Sequence, residues 1–81
     1  MLVPLYGFLE GDTLGLVILV QDDQPVSEVA RALQEAASMR VPPRDGMAVY
    51  RDGQRLDPDR KVAEAGLTPL ARVDVRMESG R

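Results

Sequence analysis

The chain has 81 residues, of which 44% are hydrophobic, and this length and composition predict one ordered domain over residues 1–81. Its formal net charge of −3 at pH 7 argues against nucleic-acid binding. The sequence contains neither Cys nor His, so disulfides, thiolate nucleophiles, thiolate zinc sites and imidazole general bases are excluded. No apolar run reaches the roughly 18–20 residues that a membrane-spanning helix needs, and the lack of Cys fits a cytoplasmic protein.

Two apolar segments, residues 2–9 and 14–20, predict an antiparallel β-hairpin. Both are apolar at nearly every position, and a short turn containing Gly11 joins them. Pro4 has no N–H to donate to a strand ladder, so we expect this position to lie at a sheet edge or at a bulge.

Residues 26–38 are predicted to form an amphipathic helix. Pro25 precedes it, where a missing N–H is harmless, and two acidic residues ahead of Pro25 suit the positive end of the helix dipole. The apolar stripe recurs at helical spacing. Its members are Val26, Val29, Ala30, Leu33, Ala36 and Ala37. The consecutive prolines Pro42 and Pro43 prevent the helix from continuing.

The second half of the chain predicts three short strands and one helical turn. Residues 47–51 and 54–56 form a hairpin across the Asp52-Gly53 turn. Residues 62–66 form one helical turn that Gly66 closes in the left-handed conformation. The last strand alternates between inward and outward positions. Its inward residues are predicted to be Ala71, Val73, Val75 and Met77. The chain is expected to fray from Glu78 onward.

This order of elements predicts an α+β fold of the ubiquitin-like β-grasp type. It is a mixed five-stranded sheet with one long helix across one face and one short helical turn. A ferredoxin-like fold would need a second full helix, which residues 62–66 are too short to supply. The core is expected to contain side chains from both layers. They are Ile18 or Leu19, Val29, Ala30, Leu33, Val49, Leu67, Val73 and Val75.

The first hairpin is apolar on both of its faces, which indicates a surface for a partner. A single helix can cover only one face of the sheet. The candidate partner-binding residues on the other face are Leu2, Tyr6, Phe8 and Val17. The alternative is that these strands only combine high β-propensity with a few solvated apolar side chains.

Arg44, in the loop of sequence VPPRDG, is the fifth candidate partner-binding residue. A guanidinium can make a bidentate contact with a carboxylate of a partner. The alternative is an internal bond to a backbone carbonyl or to Asp45. Arg40, just before this loop, has the same two alternatives.

No catalytic, cofactor-binding or metal-ligating residue is predicted. The acidic pairs Asp22-Asp23 and Asp57/Asp59 lack the additional oxygen ligands of a calcium site, and Ser27 has no His partner. Residues 79–81 do not form the Gly-Gly end of ubiquitin-like modifiers and sulfur carriers, which argues against that class.

Five segments resemble the family called toluene-4-monooxygenase system protein B, and together they span nearly the whole chain. They are residues 8–12, 17–22, 29–30, 41–46 and 57–75. The VPPRDG loop and the VAEAGL turn that begins at Val62 are more than a ubiquitin-like domain requires. The hairpin connection at Asp52-Gly53 is shorter than in the family pattern.

The resemblance implies a non-catalytic small (gamma) subunit of a bacterial multicomponent monooxygenase. In such enzymes a large subunit carries a carboxylate-bridged diiron site, and the small subunit docks on it without supplying iron ligands. The assembled enzyme hydroxylates aromatic hydrocarbons with dioxygen, using electrons from a reductase and a ferredoxin and the help of an effector protein. The alternative function is a free-standing ubiquitin-like interaction module with an unrelated partner.

Overall fold

The computed structural model describes residues 1–78, which form a five-stranded mixed sheet and one helix. The elements are β1 (Leu2–Leu9), β2 (Gly15–Gln21), α1 (Ser27–Ala36), β3 (Met47–Arg51), β4 (Gln54–Arg55) and β5 (Ala71–Met77). The sheet order is β2-β1-β5-β3-β4, with β1 parallel to β5 and all other pairs antiparallel. This arrangement confirms the predicted β-grasp.

The helix is shorter than predicted, because residues 26 and 37–38 are not part of its regular ladder. At its start, the N–H groups of Val26 and Ser27 donate to the carbonyls of Arg60 and Pro58, at 2.7 and 3.1 Å. A loop from another part of the chain therefore satisfies donors that a helix start leaves without intrahelical partners.

The apolar stripe of the helix is buried except at Ala36. At 3.6 residues per turn, Ala36 lies about 80° around the helix from Val26, whereas Ala37 returns to within about 20°. Ala36 was therefore wrongly predicted to face the core, and Ala37 was correctly predicted to do so.

The core lies between α1 and the inner face of the sheet. Of the two candidates in β2, Ile18 is 6% exposed and Leu19 is 59% exposed, so Ile18 is the core residue. All the other predicted core residues are buried. Met77 was predicted to point inward, but it is exposed. It lies at the last position of the β3–β5 ladder, where it pairs with Met47.

Gly7 is the point where the helix approaches the sheet. A Cβ atom placed on Gly7 would lie only 2.9 Å from Cδ2 of Leu33. Leu33 is fully buried, so its side chain occupies the space that any residue larger than glycine would need. The missing side chain at this inward position of β1 thus lets α1 sit close to the sheet.

Pro4 lies in an inner strand, in an unbroken ladder with β2. Its carbonyl accepts a hydrogen bond from the N–H of Leu70 at 2.6 Å, so its backbone polar groups face the β5 side. Pairing with β5 begins only at the next residue, Leu5, which faces Ala71. Pro4 therefore lies at neither the sheet edge nor the bulge that was predicted; its missing N–H is tolerated because it faces the β5 side just before the β1–β5 ladder begins.

The predicted helical turn at residues 62–66 is confirmed and ends in a Schellman motif. Gly66 has a φ of 76°, the N–H of Leu67 donates to the carbonyl of Val62 at 3.4 Å, and that of Gly66 donates to Ala63 at 3.3 Å. Val62 and Leu67 are both buried, so this turn is fastened to the core.

Glu78 directly follows β5, and its N–H donates to the carbonyl of Gly46 at 2.8 Å. The predicted fraying therefore does not begin at Glu78. The rest of that prediction, and the C-terminal sequence at residues 79–81, lie outside the described residues.

Candidate partner interface

The side of the sheet opposite the helix is apolar over β1 and β2. Because alternate residues of these strands are buried in the core, Leu2, Tyr6 and Phe8 of β1 point outward with Val17 and Leu19 of β2. The exposed fractions are 54% for Leu2, 41% for Tyr6, 60% for Val17 and 59% for Leu19. We call these five residues the hairpin face.

Two aromatic rings at the centre of the hairpin face pack over a glycine of the neighbouring strand. The rings of Tyr6 and Phe8 meet edge to face, with centroids 4.8 Å apart. A Cβ atom on Gly15, which pairs with Phe8 across the ladder, would lie 2.7 Å from Tyr6 Cε1 and 2.9 Å from Phe8 Cε2. The rings therefore cover the backbone of β2, in the manner by which aromatic residues compensate for a glycine in a strand.

The hairpin face brings together the four sequence-predicted residues of the first hairpin. Tyr6 faces Val17 directly across the ladder, and Phe8 follows Tyr6 on the same side of β1. Leu19 was named as an alternative to Ile18 in the core and was not among the candidate partner-binding residues. The role of Gly15 as the residue beneath the two rings was not predicted, although a glycine inside an apolar strand is itself a sign of close approach by another group.

Arg44 does not belong to the hairpin face, because it lies beside the helix. Its backbone N–H donates to Oε1 of Gln34 at 2.8 Å. Its side chain borders an open groove of about 600 Å³ between α1 and the VPPRDG loop. Within residues 1–78 the guanidinium of Arg44 forms no hydrogen bond or ion pair, so neither of the predicted internal contacts is found there.

Arg40 instead makes an internal contact with the turn of the first hairpin. Its Nε and Nη2 atoms lie 3.0 and 2.7 Å from the two carboxylate oxygens of Asp12, whose side chain is 2% exposed. This bidentate bond from Arg40 holds the pKa of Asp12 below its usual value of 3.8, although partial desolvation acts in the opposite direction. The pair fastens the hairpin turn to the segment that follows α1.

Arginines on β5 continue the outer side of the sheet beyond the hairpin face. The guanidinium of Arg72 lies 4.1 Å from the centroid of the Phe8 ring, and that of Arg76 lies 4.2 Å from the ring of Tyr50. Both distances fit cation–π contacts. Arg72 also lies 3.3 Å from Oδ1 of Asp74, the residue between the two arginines that faces the same way.

The described part of the chain offers no place for a metal. No group of three or more His, Cys, Asp or Glu residues within residues 1–78 is placed to hold an ion. A diiron site needs several ligands around two metal ions, so these residues do not fit one. The one helix of the described chain is too short to cross a membrane.

These features define a ubiquitin-like domain whose outer sheet surface is partly apolar. The archaeal ubiquitin of Caldiarchaeum subterraneum has 14% sequence identity and a TM-score of 0.74, with 99% of this chain and 98% of that chain covered. A designed protein based on ubiquitin has 21% identity and a TM-score of 0.78, with coverage of 99% and 93%. At these identities the likeness concerns the fold alone.

The family model described as toluene-4-monooxygenase system protein B matches residues 2–77, so the chain belongs to this family of small accessory components of a monooxygenase system. A chain in the structure described as "Toluene 4 monooxygenase HD Complex with Inhibitor 4-Bromobenzoate" is 28% identical, with a TM-score of 0.88. The match covers 96% of this chain and 100% of that chain. No curated protein matches the sequence.

Proposed function

We propose that this chain is the non-catalytic small (gamma) subunit of a multicomponent diiron monooxygenase hydroxylase that acts on aromatic hydrocarbons. The observation that carries the proposal is the family match over residues 2–77, supported by the similarity to a chain of a toluene 4-monooxygenase complex. The diiron site belongs to the large subunit, on which this chain docks. The assembly works in the cytoplasm.

The hairpin face is the proposed docking surface, with Leu2, Tyr6, Phe8 and Val17 as its contact residues. Tyrosine is favoured as an anchor in interfaces because its ring covers a large area at a low cost in conformational entropy. Tyr6 is already held against Phe8, with ring centroids 4.8 Å apart, so little ordering is needed on binding. A stable contact should bury about 1,200–2,000 Å² in total.

Arg44 is a second proposed contact, separate from the first. Its exposed position beside α1 and the absence of an internal partner within residues 1–78 leave its guanidinium available for a carboxylate. A large subunit that touches both Arg44 and the hairpin face has to extend around the domain. The two contacts are therefore expected to contribute independently to the affinity.

Substitution of the aromatic anchor tests the docking proposal. Tyr6→Ala should weaken binding to the purified large subunit by roughly thirtyfold, the effect of losing about 2 kcal/mol at an interface anchor. Arg44→Ala is measured separately in the same way. Met39→Ala is the matched control, since Met39 is 94% exposed and lies outside the sheet.

The same variants need a stability measurement to separate docking from folding. Weaker co-elution of Tyr6→Ala with the large subunit, at an unchanged melting temperature of the free domain, supports the proposal. If Tyr6→Ala and Arg44→Ala both co-elute like Met39→Ala, the proposed surface is wrong. If they unfold the domain instead, these residues are structural and docking occurs elsewhere.

The non-catalytic role is tested by metal analysis. The isolated chain should retain no iron after dialysis, whereas the complex with the large subunit should contain it, because the sequence has no His and residues 1–78 hold no acidic cluster of the kind a diiron site needs. Stoichiometric iron in the dialysed isolated chain would contradict this assignment.

A further inference from the structure

The outer side of the sheet carries an excess of positive charge on a chain that is acidic as a whole. Among the strand residues that point outward, the charged ones are Arg55, Arg72, Asp74 and Arg76. Three positive charges thus accompany one negative charge on this side, whereas the whole chain has a formal net charge of −3. Among residues 1–78, Arg55 is the one of these arginines with a close acidic partner outside the strands, Glu78, at 2.7 Å.

The guanidinium groups of the two arginines of β5 lie over aromatic rings. Arg72 lies over Phe8 and Arg76 over Tyr50, with guanidinium carbons 4.1 and 4.2 Å from the ring centroids. A guanidinium stacked in this way keeps its N–H donors free along its edge, and those donors match the two oxygens of a carboxylate. Stacking also limits side-chain motion, so a further contact loses little conformational entropy.

The charge balance of these arginines is incomplete within residues 1–78. Arg72 shares Asp74 at 3.3 Å but remains 65% exposed, and no acidic side chain among residues 1–78 lies within ion-pair distance of Arg76. Since Arg72 stacks on Phe8, any surface that covers the hairpin face also reaches Arg72. A guanidinium taken out of water without a partner charge is strongly destabilising. Asp74 can balance only one of the two arginines, so a covering surface that extends over both Arg72 and Arg76 is expected to provide negative charge along β5.

We propose that Arg72 and Arg76 are the polar recognition element of the docking surface, and that they bind carboxylate side chains on the partner protein. The partner surface is then apolar where it meets the hairpin face and acidic where it meets β5. This inference rests on the proposed docking through the hairpin face. It adds the chemistry of the partner and the orientation in which that partner is bound.

Binding measured as a function of salt tests the inference on the complex itself. The purified large subunit is titrated with the unaltered chain, Arg76→Gln, the double variant Arg72→Gln/Arg76→Gln and the control Lys61→Gln. Lys61 is exposed and lies outside the five strands, so its substitution removes one positive charge away from the surface. Melting temperatures of the free variants confirm that each one is folded.

We expect Arg76→Gln to bind at least about tenfold more weakly at low ionic strength, and the double variant more weakly still. The difference from the unaltered chain should shrink at high salt, because mobile ions screen exposed charges. Lys61→Gln should bind like the unaltered chain. Equal affinity of the double variant and the unaltered chain would overturn this inference and leave the docking proposal standing.

Three other outcomes would also overturn it. No binding of the unaltered chain to the large subunit would remove the docking proposal and this inference together. Binding of the free chain to phosphatidylglycerol vesicles, lost in the double variant, would assign the arginines to an anionic membrane surface. Concentration-dependent dimerisation of the free chain, lost in the same variant, would assign them to a second copy.

Discussion

The two faces of the first hairpin are both apolar and each contains a glycine, but they are closed in different ways. On the inner face, Leu33 of the helix fills the space above Gly7. On the outer face, the rings of Tyr6 and Phe8 fill the space above Gly15. The inner contact joins the sheet to α1 and is fully buried, whereas the outer one joins two strands of the same sheet and remains accessible. The hairpin therefore has one face that completes the fold and one that remains accessible at the surface of the domain.

This difference has a simple physical origin. A small sheet with one helix has enough chain to cover only one of its faces. Apolar residues on the second face contribute little to the stability of the free domain, because they stay in contact with water on that side. Their contribution appears when another surface covers them. Substitutions on the inner face should consequently change stability, and substitutions on the outer face should change assembly.

Removal of the largest inner contact should have the largest effect. Leu33→Ala is expected to lower the free energy of unfolding by about 2–5 kcal/mol, through lost apolar burial and the remaining cavity. Leu33 is fully buried against the sheet, and a domain has only about 5–15 kcal/mol of total stability. Urea denaturation measures the change. A loss well under 2 kcal/mol would show that the apolar stripe of the helix does not pack in the core.

Adding a methyl group at the inner glycine should have the next largest effect. Gly7→Ala places Cβ 2.9 Å from Leu33 Cδ2, so the side chain of Leu33 or the helix itself must shift. Overpacking of this kind costs about 1–3 kcal/mol. The melting temperature should fall, with binding of the folded fraction unchanged. An unchanged melting temperature would mean that the helix is less tightly packed on β1.

The matched change on the outer face should affect assembly more than stability. Gly15→Ala places Cβ 2.7–2.9 Å from the rings of Tyr6 and Phe8, but these rings can swing toward solvent. We expect less than about 1 kcal/mol of change in stability, as for surface sites, together with weaker binding to the large subunit. A loss of stability equal to that of Gly7→Ala would contradict the distinction between the two faces.

The smallest expected effect is a pH dependence at the hairpin turn. The pKa of Asp12 is lowered by the bond from Arg40, so the pair stabilises the fold above the usual pKa of 3.8. The contribution is lost as the pH falls through the lower pKa of the folded state. Asp12→Asn should melt at a lower temperature than the unaltered chain near neutral pH.

The same comparison at acidic pH provides the control. The gap between the two melting temperatures should close as the pH falls through the lowered pKa that Asp12 has in the folded state, because below it the side chain is protonated in both states of the unaltered chain. Glu28, whose pKa is also lowered by an arginine, is present in both proteins and cancels in the difference. A gap that stays constant down to low pH would show that the effect does not come from the carboxylate charge.

The local elements were predictable because their signals lie within short stretches of sequence. The β3–β4 turn at Asp52-Gly53 has φ values of 52° and 81°, as a tight hairpin turn requires. The turn at residues 62–66 is closed by Gly66 as expected. The predicted buried stripe of the helix was correct except at Ala36, which the period of 3.6 residues per turn places away from the core.

The roles of the two arginines after the helix were not predictable in the same way. Arg40 and Arg44 had the same alternatives in the sequence, yet Arg40 binds Asp12, 28 positions away, and Arg44 does not reach an acid within residues 1–78. The arginines of β5 were assigned only as outward-facing. Their stacking on Phe8 and Tyr50 depends on strand neighbours that are far apart along the chain.

The sequence by itself determined the β-grasp order of elements, the positions of the turns, most of the core residues and the presence of two apolar faces on the first hairpin. The tertiary structure alone decided that Ile18 rather than Leu19 is buried, and which charged side chains meet. The physical reason is that a period of two residues marks two faces without ranking them. Only packing against α1, at the space that Gly7 leaves for Leu33, makes one face the core and leaves the other as a surface.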